Sequence, residues 1–321
     1  MIKNSDQIIK LIEKSKNIVL MGHKDGDGDC FGAMIGLSYA LTKIGKNVRL
    51  LSNENLPDYL QFLNHDGKIV FNDNYWDDAD CLIILDTSGL NILSSPEIGN
   101  KYFESSATSV LIDHHTRGNV ADRVDLAWVD QKYCSASEMV FELLKIMRVP
   151  FDPDIATALF TGIVTDTSSF QNQNTTAETF LAASELVKQG ANLYEVIENN
   201  YYSKSPESLK IRGLVLDRLI INKKYNAVIS YVKNRDLVEY NIDSNAITGH
   251  VDYLKKIKGV KLVVFIAEKE PGKIRVSLRT RDQSTDVAKI ARALGGGGHV
   301  KAAGFLVDGR ITNKGSNTII A

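Results

Sequence analysis

Four short stretches hold most of the side chains able to do chemistry. The first is His23, Asp27 and Asp29 in GHKDGDGDCFG. In a turning loop at a strand end, this spacing lets an imidazole and two carboxylates converge. That donor set suits a borderline transition metal better than calcium. The same letters also describe a solvated acidic loop with helix-capping aspartates, or a calcium-like loop. An EF-hand is disfavoured, because no Glu stands at the twelfth loop position and His23 has no role in one. The second stretch is Asp86, directly after the apolar run CLIIL. The third is Asp113, His114 and His115, after VLI. The fourth is Asp166, where a helical pattern runs into TDTSSF.

Each stretch alone has a plain structural reading: a turn cap for Asp86, surface or core histidines for the pair, a helix end for Asp166. Together they say more. His23, Asp27, Asp29, Asp86, His114 and Asp166 can supply two divalent ions about 3.5–4 Å apart, with Asp86 as the bridge. Such a pair activates water near neutral pH and neutralises charge at phosphorus, so the chemistry expected is phosphate-ester hydrolysis.

A fifth stretch, GGGGHVKAAGF, reads as an anion site rather than a catalytic one. Gly295, Gly296, Gly297 and Gly298 let backbone N–H groups approach an anion closely. A short helix is expected to start after them and add its positive end. His299 and Lys301 add donors. Upstream, Arg279 and Arg281 alternate with Ser277 along one strand face. The competing reading is a flexible linker with ordinary surface arginines.

The elements that must position these groups follow from hydrophobic period. Residues 6–16 put Ile8, Ile9, Leu11 and Ile12 on one helical face. NIVLM (17–21) reads as a buried strand, CFGAMIGLSYALTKIG as a helix closed by Gly45, and VRLLS (48–52) as a strand. This βαβ order implies a parallel sheet. CLIILD (81–86) and TSVLIDHH (108–115) add strands that end in acids and histidines, and helices follow over 135–147 and 154–165. Ligands of open α/β sheets bind beyond the carboxyl ends of the strands. Residues 176–219 read almost wholly as helix. Strands are predicted over 225–233, 261–270 and 273–281, with a helix over 286–294. The last residues, DGRITNKGSNTIIA, are polar and are expected to be partly disordered. The fold class is α/β. A parallel-sheet domain (1–185) is followed by a helical linker (186–220) and a smaller α/β domain with a mixed sheet (221–321).

Composition narrows the partners. The 321 residues include 44% hydrophobic and 24% charged residues and carry a net charge of −1. That excludes a protein coating long nucleic acid through bulk positive charge. Cys30, Cys81 and Cys134 form no CxxC pair, and their odd number argues for reduced thiols. No signal peptide is visible and no apolar run approaches membrane length. The expected location is the cytoplasm, with no membrane partner.

In these motifs the chain resembles the DHH superfamily of phosphoesterases, in the branch with a DHH-associated second domain. The resemblance rests on HxxxDxD at His23, Asp27 and Asp29, on Asp86, on DHH at 113–115, on TD at Asp166 and on GGGGHxxAAGF from Gly295. It implies two Mn²⁺ ions, with Mg²⁺ or Co²⁺ as substitutes. One would be held by His23, Asp27 and Asp86, the other by Asp29, Asp86, His114 and Asp166. His115 would face the scissile phosphate and Asp113 would orient the histidine pair. Arg279, His299 and the glycine run would clamp substrate, in a cleft between domains. The implied activity is of the nanoRNase/pAp phosphatase type: hydrolysis of short oligoribonucleotides, two to five nucleotides long, and of 3′-phosphoadenosine 5′-phosphate (pAp). The rivals are cleavage of cyclic di-AMP or its product pApA and, from another class, a non-catalytic nucleotide sensor. Long duplex nucleic acid is not an expected partner, and a homodimer is. Two departures stand beside the ligands: Cys30 and Ala33 occupy positions where similar proteins often carry a small apolar residue and Ser.

Overall fold

The apolar runs ending in charged residues are strands of one parallel sheet. The computed structural model describes residues 5–202, 205–242, 251, 253–314 and 317–320. The chain divides into two units, Met1–Ser203 and Lys204–Ala321. The first runs α1 (Ser5–Lys14), β1 (Asn17–Met21), α2 (Gly28–Lys43), β2 (Asn47–Leu51), β3 (Phe71–Asn72), β4 (Cys81–Leu85), α3 (Pro96–Phe103), β5 (Thr108–Asp113), β6 (Leu126–Val129), α4 (Ala136–Ile146), α5 (Pro153–Asp166), α6 (Ala177–Lys188) and α7 (Leu193–Ile197).

Its sheet has the order β3-β2-β1-β4-β5-β6, every pair parallel. Both faces are covered, and the strand period of two shows it. Ile18 and Leu20 of β1 enter one core with α2, α4 and α5, while Val19 and Met21 enter the other with Tyr102 of α3. In β4, Cys81, Ile83 and Leu85 take the first side, and Leu82 and Ile84 the second. Gly45, at φ 84°, supplies the left-handed residue that stops α2. The strand order reverses direction between β1 and β4, which is where an open α/β sheet leaves a crevice for ligands.

The second unit runs α8 (Pro206–Asp217), β7 (Ile220–Asn222), β8 (Ala227–Val232), α9 (Asn234–Glu239), β9 (Leu262–Glu270), β10 (Lys273–Arg279), a helix at Val287–Ala293, β11 (Gly297–His299), β12 (Ala302–Asp308), β13 (Ile311–Lys314) and β14 (Asn317–Ile320). Its main sheet, β11-β12-β10-β9-β8-β7, is mixed: β8 and β9 are parallel and the other pairs antiparallel. The division between units falls inside the helical stretch 176–219. Ala182, Ala183 and Leu186 of α6 join the first unit's core, and Ile211 and Val215 of α8 join the second's.

One expectation fails here. No helix follows the glycine run. Residues 297–299 and 302–308 pair as antiparallel strands, Gly297 opposite Gly304 and His299 opposite Ala302. The small residues serve close strand packing: a Cβ on Gly304 would lie 2.8 Å from the Val276 carbonyl oxygen of the next strand. In the polar C-terminal segment β13 pairs with β14 and Ile311 is buried in the core beneath, while 315, 316 and 321 lie outside the described residues.

Candidate metal centre

Three strand ends and two helix ends build the site. His23 follows β1 by one glycine. Its Nδ1 lies 2.8 Å from the Lys24 carbonyl oxygen. A carbonyl only accepts, so this contact puts the proton on Nδ1 and leaves the lone pair of the neutral ring on Nε2. Nε2 stands 3.5 Å from Asp86 Oδ2.

Asp86 follows β4 with φ 56°, a left-handed conformation uncommon for a residue with a Cβ. Such strain costs of order 1–3 kcal/mol and persists where the surroundings over-determine it. Here it accompanies a carboxylate shared between two sides of the site. Oδ2 faces His23, while Oδ1 lies 3.4 Å from His114 Nε2 and 3.4 Å from His115 Nδ1. Asp113, the last residue of β5, is fully buried. Its Oδ1 accepts from the His115 backbone N–H at 3.2 Å and contacts His115 Nδ1 at 2.9 Å.

Asp29 sits in the first turn of α2 but is held by another helix. Its carboxylate accepts the N–H groups of Ala136 and Ser137, at the start of α4, at 2.6 and 2.8 Å. Gly162 of α5 makes that possible, since a Cβ there would come within 1.9 Å of Ser137 Oγ and 2.6 Å of Asp29 Oδ1. Asp29 Oδ2 and Asp166 Oδ2, at the end of α5, each lie 3.8 Å from His114 Nε2. Asp27 spends one oxygen capping α2, accepting from Asp29 and Cys30 N–H. It therefore stands alongside the tightest groupings rather than within them.

Two such groupings occur among the described residues, each with ligand atoms within 4.8 Å of one another: His23, Cys30 and Asp86, and Asp86, His114 and His115. Cys30, in the first grouping, and Asn174, beside Asp166, are neighbours of the site that the sequence did not assign. Asn174 donates to Asp166 Oδ2 at 3.1 Å and to the Cys134 carbonyl at 2.8 Å. Cys30 reads as an ordinary apolar start to a buried helix, and one asparagine in a polar loop gives no signal.

The charges are mutually adjusted. Burial alone would raise Asp86, but His114 and His23 overcome it and hold the carboxyl well below its ordinary range. Burial and the Asp86 charge push Asp27 and Asp29 upward. Burial also carries Asp166 up to about 6, against the pull of His114. Burial disfavours the charged His114 ring, yet Asp86, Asp29 and Asp166 bring it up to about 10. For His23, burial is outweighed by Cys30 and Asp86, and the shift is upward. Asp86 Oδ1 and His114 Nε2 are buried without a hydrogen-bond partner. A divalent cation supplies what both lack and offsets the crowded carboxylates, so the residues present fit one.

Arg279 and the glycine run belong to the second unit. Arg279 on β10 lies opposite Ala302 on β12, which lies opposite His299 on β11, so the three share one rung of the sheet. The Arg279 guanidinium is half-buried and donates to the Leu278 carbonyl at 3.1 Å. Lys301, expected as an anion donor, bonds the Asp282 carbonyl oxygen at 2.6 Å.

The parallel sheet with histidines and aspartates gathered where its order reverses, and the mixed-sheet unit after it, fit the class of DHH-family phosphoesterases, whose two domains this chain matches in turn. Residues 17–163 match the DHH family, N-terminal domain, and residues 224–314 match the DHHA1 domain. The chain is similar to the bifunctional oligoribonuclease and PAP phosphatase NrnA of Thermus thermophilus, with 29% identity over 94% of this chain and 87% of the relative. It is 28% identical to the cyclic-di-AMP phosphodiesterase GdpP of Bacillus subtilis, over 95% of this chain and 47% of that protein. The crystal structure of an exopolyphosphatase-related protein from Bacteroides fragilis superposes with a TM-score of 0.85 at 25% identity, over 94% of this chain and 90% of that one. Among the described residues no helix is long and apolar enough to cross a membrane.

Proposed function

We propose that this chain is a Mn²⁺-dependent phosphoesterase that hydrolyses short oligoribonucleotides to mononucleotides and pAp to AMP. The observation carrying the reading is Asp86, a buried, left-handed carboxylate whose two oxygens face histidines on opposite sides. One ion would be held by His23, Asp27 and Asp86, the other by Asp29, Asp86, His114 and Asp166. When bound, the ions lower the pKa of water and offset charge on the phosphate. His115, with 42% of its side chain exposed, is more open than His23 and His114, the other two histidines of the site. The Asp113 carboxylate fixes its ring from behind, so that Nε2 can hold or release a proton at the leaving oxygen. Arg279, His299 and the backbone of Gly295, Gly296, Gly297 and Gly298 would bind the non-reacting end of the substrate. A net charge of −1 offers no track for a long polymer, which favours short substrates. The unpaired Cys30, Cys81 and Cys134 favour a cytoplasmic setting.

The likeness to GdpP supports a second reading, hydrolysis of cyclic di-AMP or pApA. Product release with Mn²⁺ from an RNA dinucleotide, pAp and cyclic di-AMP in parallel separates the two. The proposal expects turnover of the first two and little of the third. Turnover of cyclic di-AMP alone would replace it with the second reading.

A further inference from the structure

Of the three thiols, Cys30 alone lies beside candidate metal ligands. Its Sγ, a ring nitrogen of His23 and an oxygen of Asp86 are within 4.8 Å of one another. The fold makes room for the sulfur. A Cβ on Gly22 would come within 2.2 Å of Cys30 Sγ and 2.9 Å of Met34 Sδ, so Sγ fills the slot that a side chain at position 22 would occupy. Asp86, 3% exposed, turns its Oδ2 to this side, 3.5 Å from His23 Nε2. His23, through its Nδ1 contact with the Lys24 carbonyl, turns its lone-pair nitrogen toward Asp86. Nitrogen, oxygen and sulfur donors thus meet on one side of Asp86. On the other side Asp29, His114 and Asp166 offer only nitrogen and oxygen.

We propose that Cys30 is a sulfur ligand of the cation held by His23 and Asp86, and that this half of the centre takes thiophilic divalent ions such as Co²⁺, Zn²⁺ or Cd²⁺ in preference to Mg²⁺. The inference rests on the metal-centre reading given above. On binding, the S–H bond breaks, its proton leaves to solvent, and a metal–sulfur bond forms. Thiolate selects softer ions, whereas carboxylate alone tolerates Mg²⁺. The two halves of the centre therefore differ in metal preference.

Cobalt reports on both readings at once. The metal-free full chain is titrated with Co²⁺ and followed in the visible and near-ultraviolet. The proposal expects visible d–d bands together with a near-ultraviolet sulfur-to-cobalt charge-transfer band. Cys30→Ala should keep the d–d bands and lose the charge-transfer band, and Cys81→Ala should keep both. Should Cys30→Ala misfold, as a thermal melt would show, Cys30→Ser preserves the side-chain size and serves instead. A charge-transfer band missing from the wild type, or surviving in the Cys30 variant, overturns the proposal while the d–d bands leave the metal centre standing. Absence of all cobalt bands overturns the metal centre and the proposal with it. A competition titration adds a second reading. The Cd²⁺-over-Mg²⁺ preference should fall about 10–100-fold in Cys30→Ala, and an unchanged ratio counts against sulfur ligation.

Discussion

The two sheets of this protein carry their chemistry differently. In the first unit every strand is parallel and covered on both faces, so the polar side chains after β1, β4 and β5 meet at one rim. Crowding follows, and with it the opposed shifts of Asp86, Asp166 and His114. In the second unit most strands are antiparallel, and Arg279, Ala302 and His299 lie along a rung of the sheet rather than at a shared rim. The charge pair of Arg218 with Asp236 ties the end of α8 to α9 and leaves neither carboxylate oxygen without a donor. A parallel sheet concentrates charge into a reactive cluster, whereas an antiparallel one spreads its donors across a surface.

The largest test of that contrast is Asp86→Asn. Asparagine tolerates the left-handed backbone, so the fold should persist while the shared carboxylate charge is lost. Turnover should fall about 10³-fold or more, with an unchanged circular dichroism melt. Activity within tenfold of wild type would remove Asp86 from the centre. Next comes Arg218→Ala, which strands a buried carboxylate and should cost the second unit about 3 kcal/mol. Urea unfolding monitored at each unit should show the second unit's midpoint drop alone. An equal drop in both would mean that the units do not unfold separately.

The smallest effect concerns pH. The folded pKa of Asp166 is about 6, above its ordinary 3.8, because burial outweighs His114. A carboxyl raised on folding contributes stability that is full below 3.8 and lost as pH rises through about 6. His114, near 10, does not titrate in that window. Saturating Mn²⁺ relieves the lost contribution, so its gain in Tm should be roughly 3–6 °C larger at pH 7 than at pH 5. A gain that is flat across this range would show that Asp166 does not feel the cation.

Much of the first unit was legible because its signals are redundant. The run CLIIL names a buried strand, and the acid behind it can only stand at the rim. Asp113, His114 and His115 repeat the same grammar. What escaped lacked a period. Four glycines have no hydrophobic alternation, so the run before Ala302 reads as well for a helix start as for the hairpin it forms. Alternation in ITNK and NTII is too short to reveal a strand pair in a polar tail. Gly162 looks like any helical glycine until the room it leaves for Asp29 is seen. The sulfur of Cys30 is invisible for a similar reason: its partner in packing is the missing side chain of Gly22.

The hold of the α4 amides on Asp29 has a kinetic side. A carboxylate pinned by two N–H groups of a second helix is oriented before any ion arrives, so uptake there needs no side-chain search. The Ala136 and Ser137 amides become built-in sentinels as well. Each touches the carboxylate directly, and isotopic labelling of these two nitrogens would let magnetic resonance follow charge arriving at Asp29 without any probe attached to the protein.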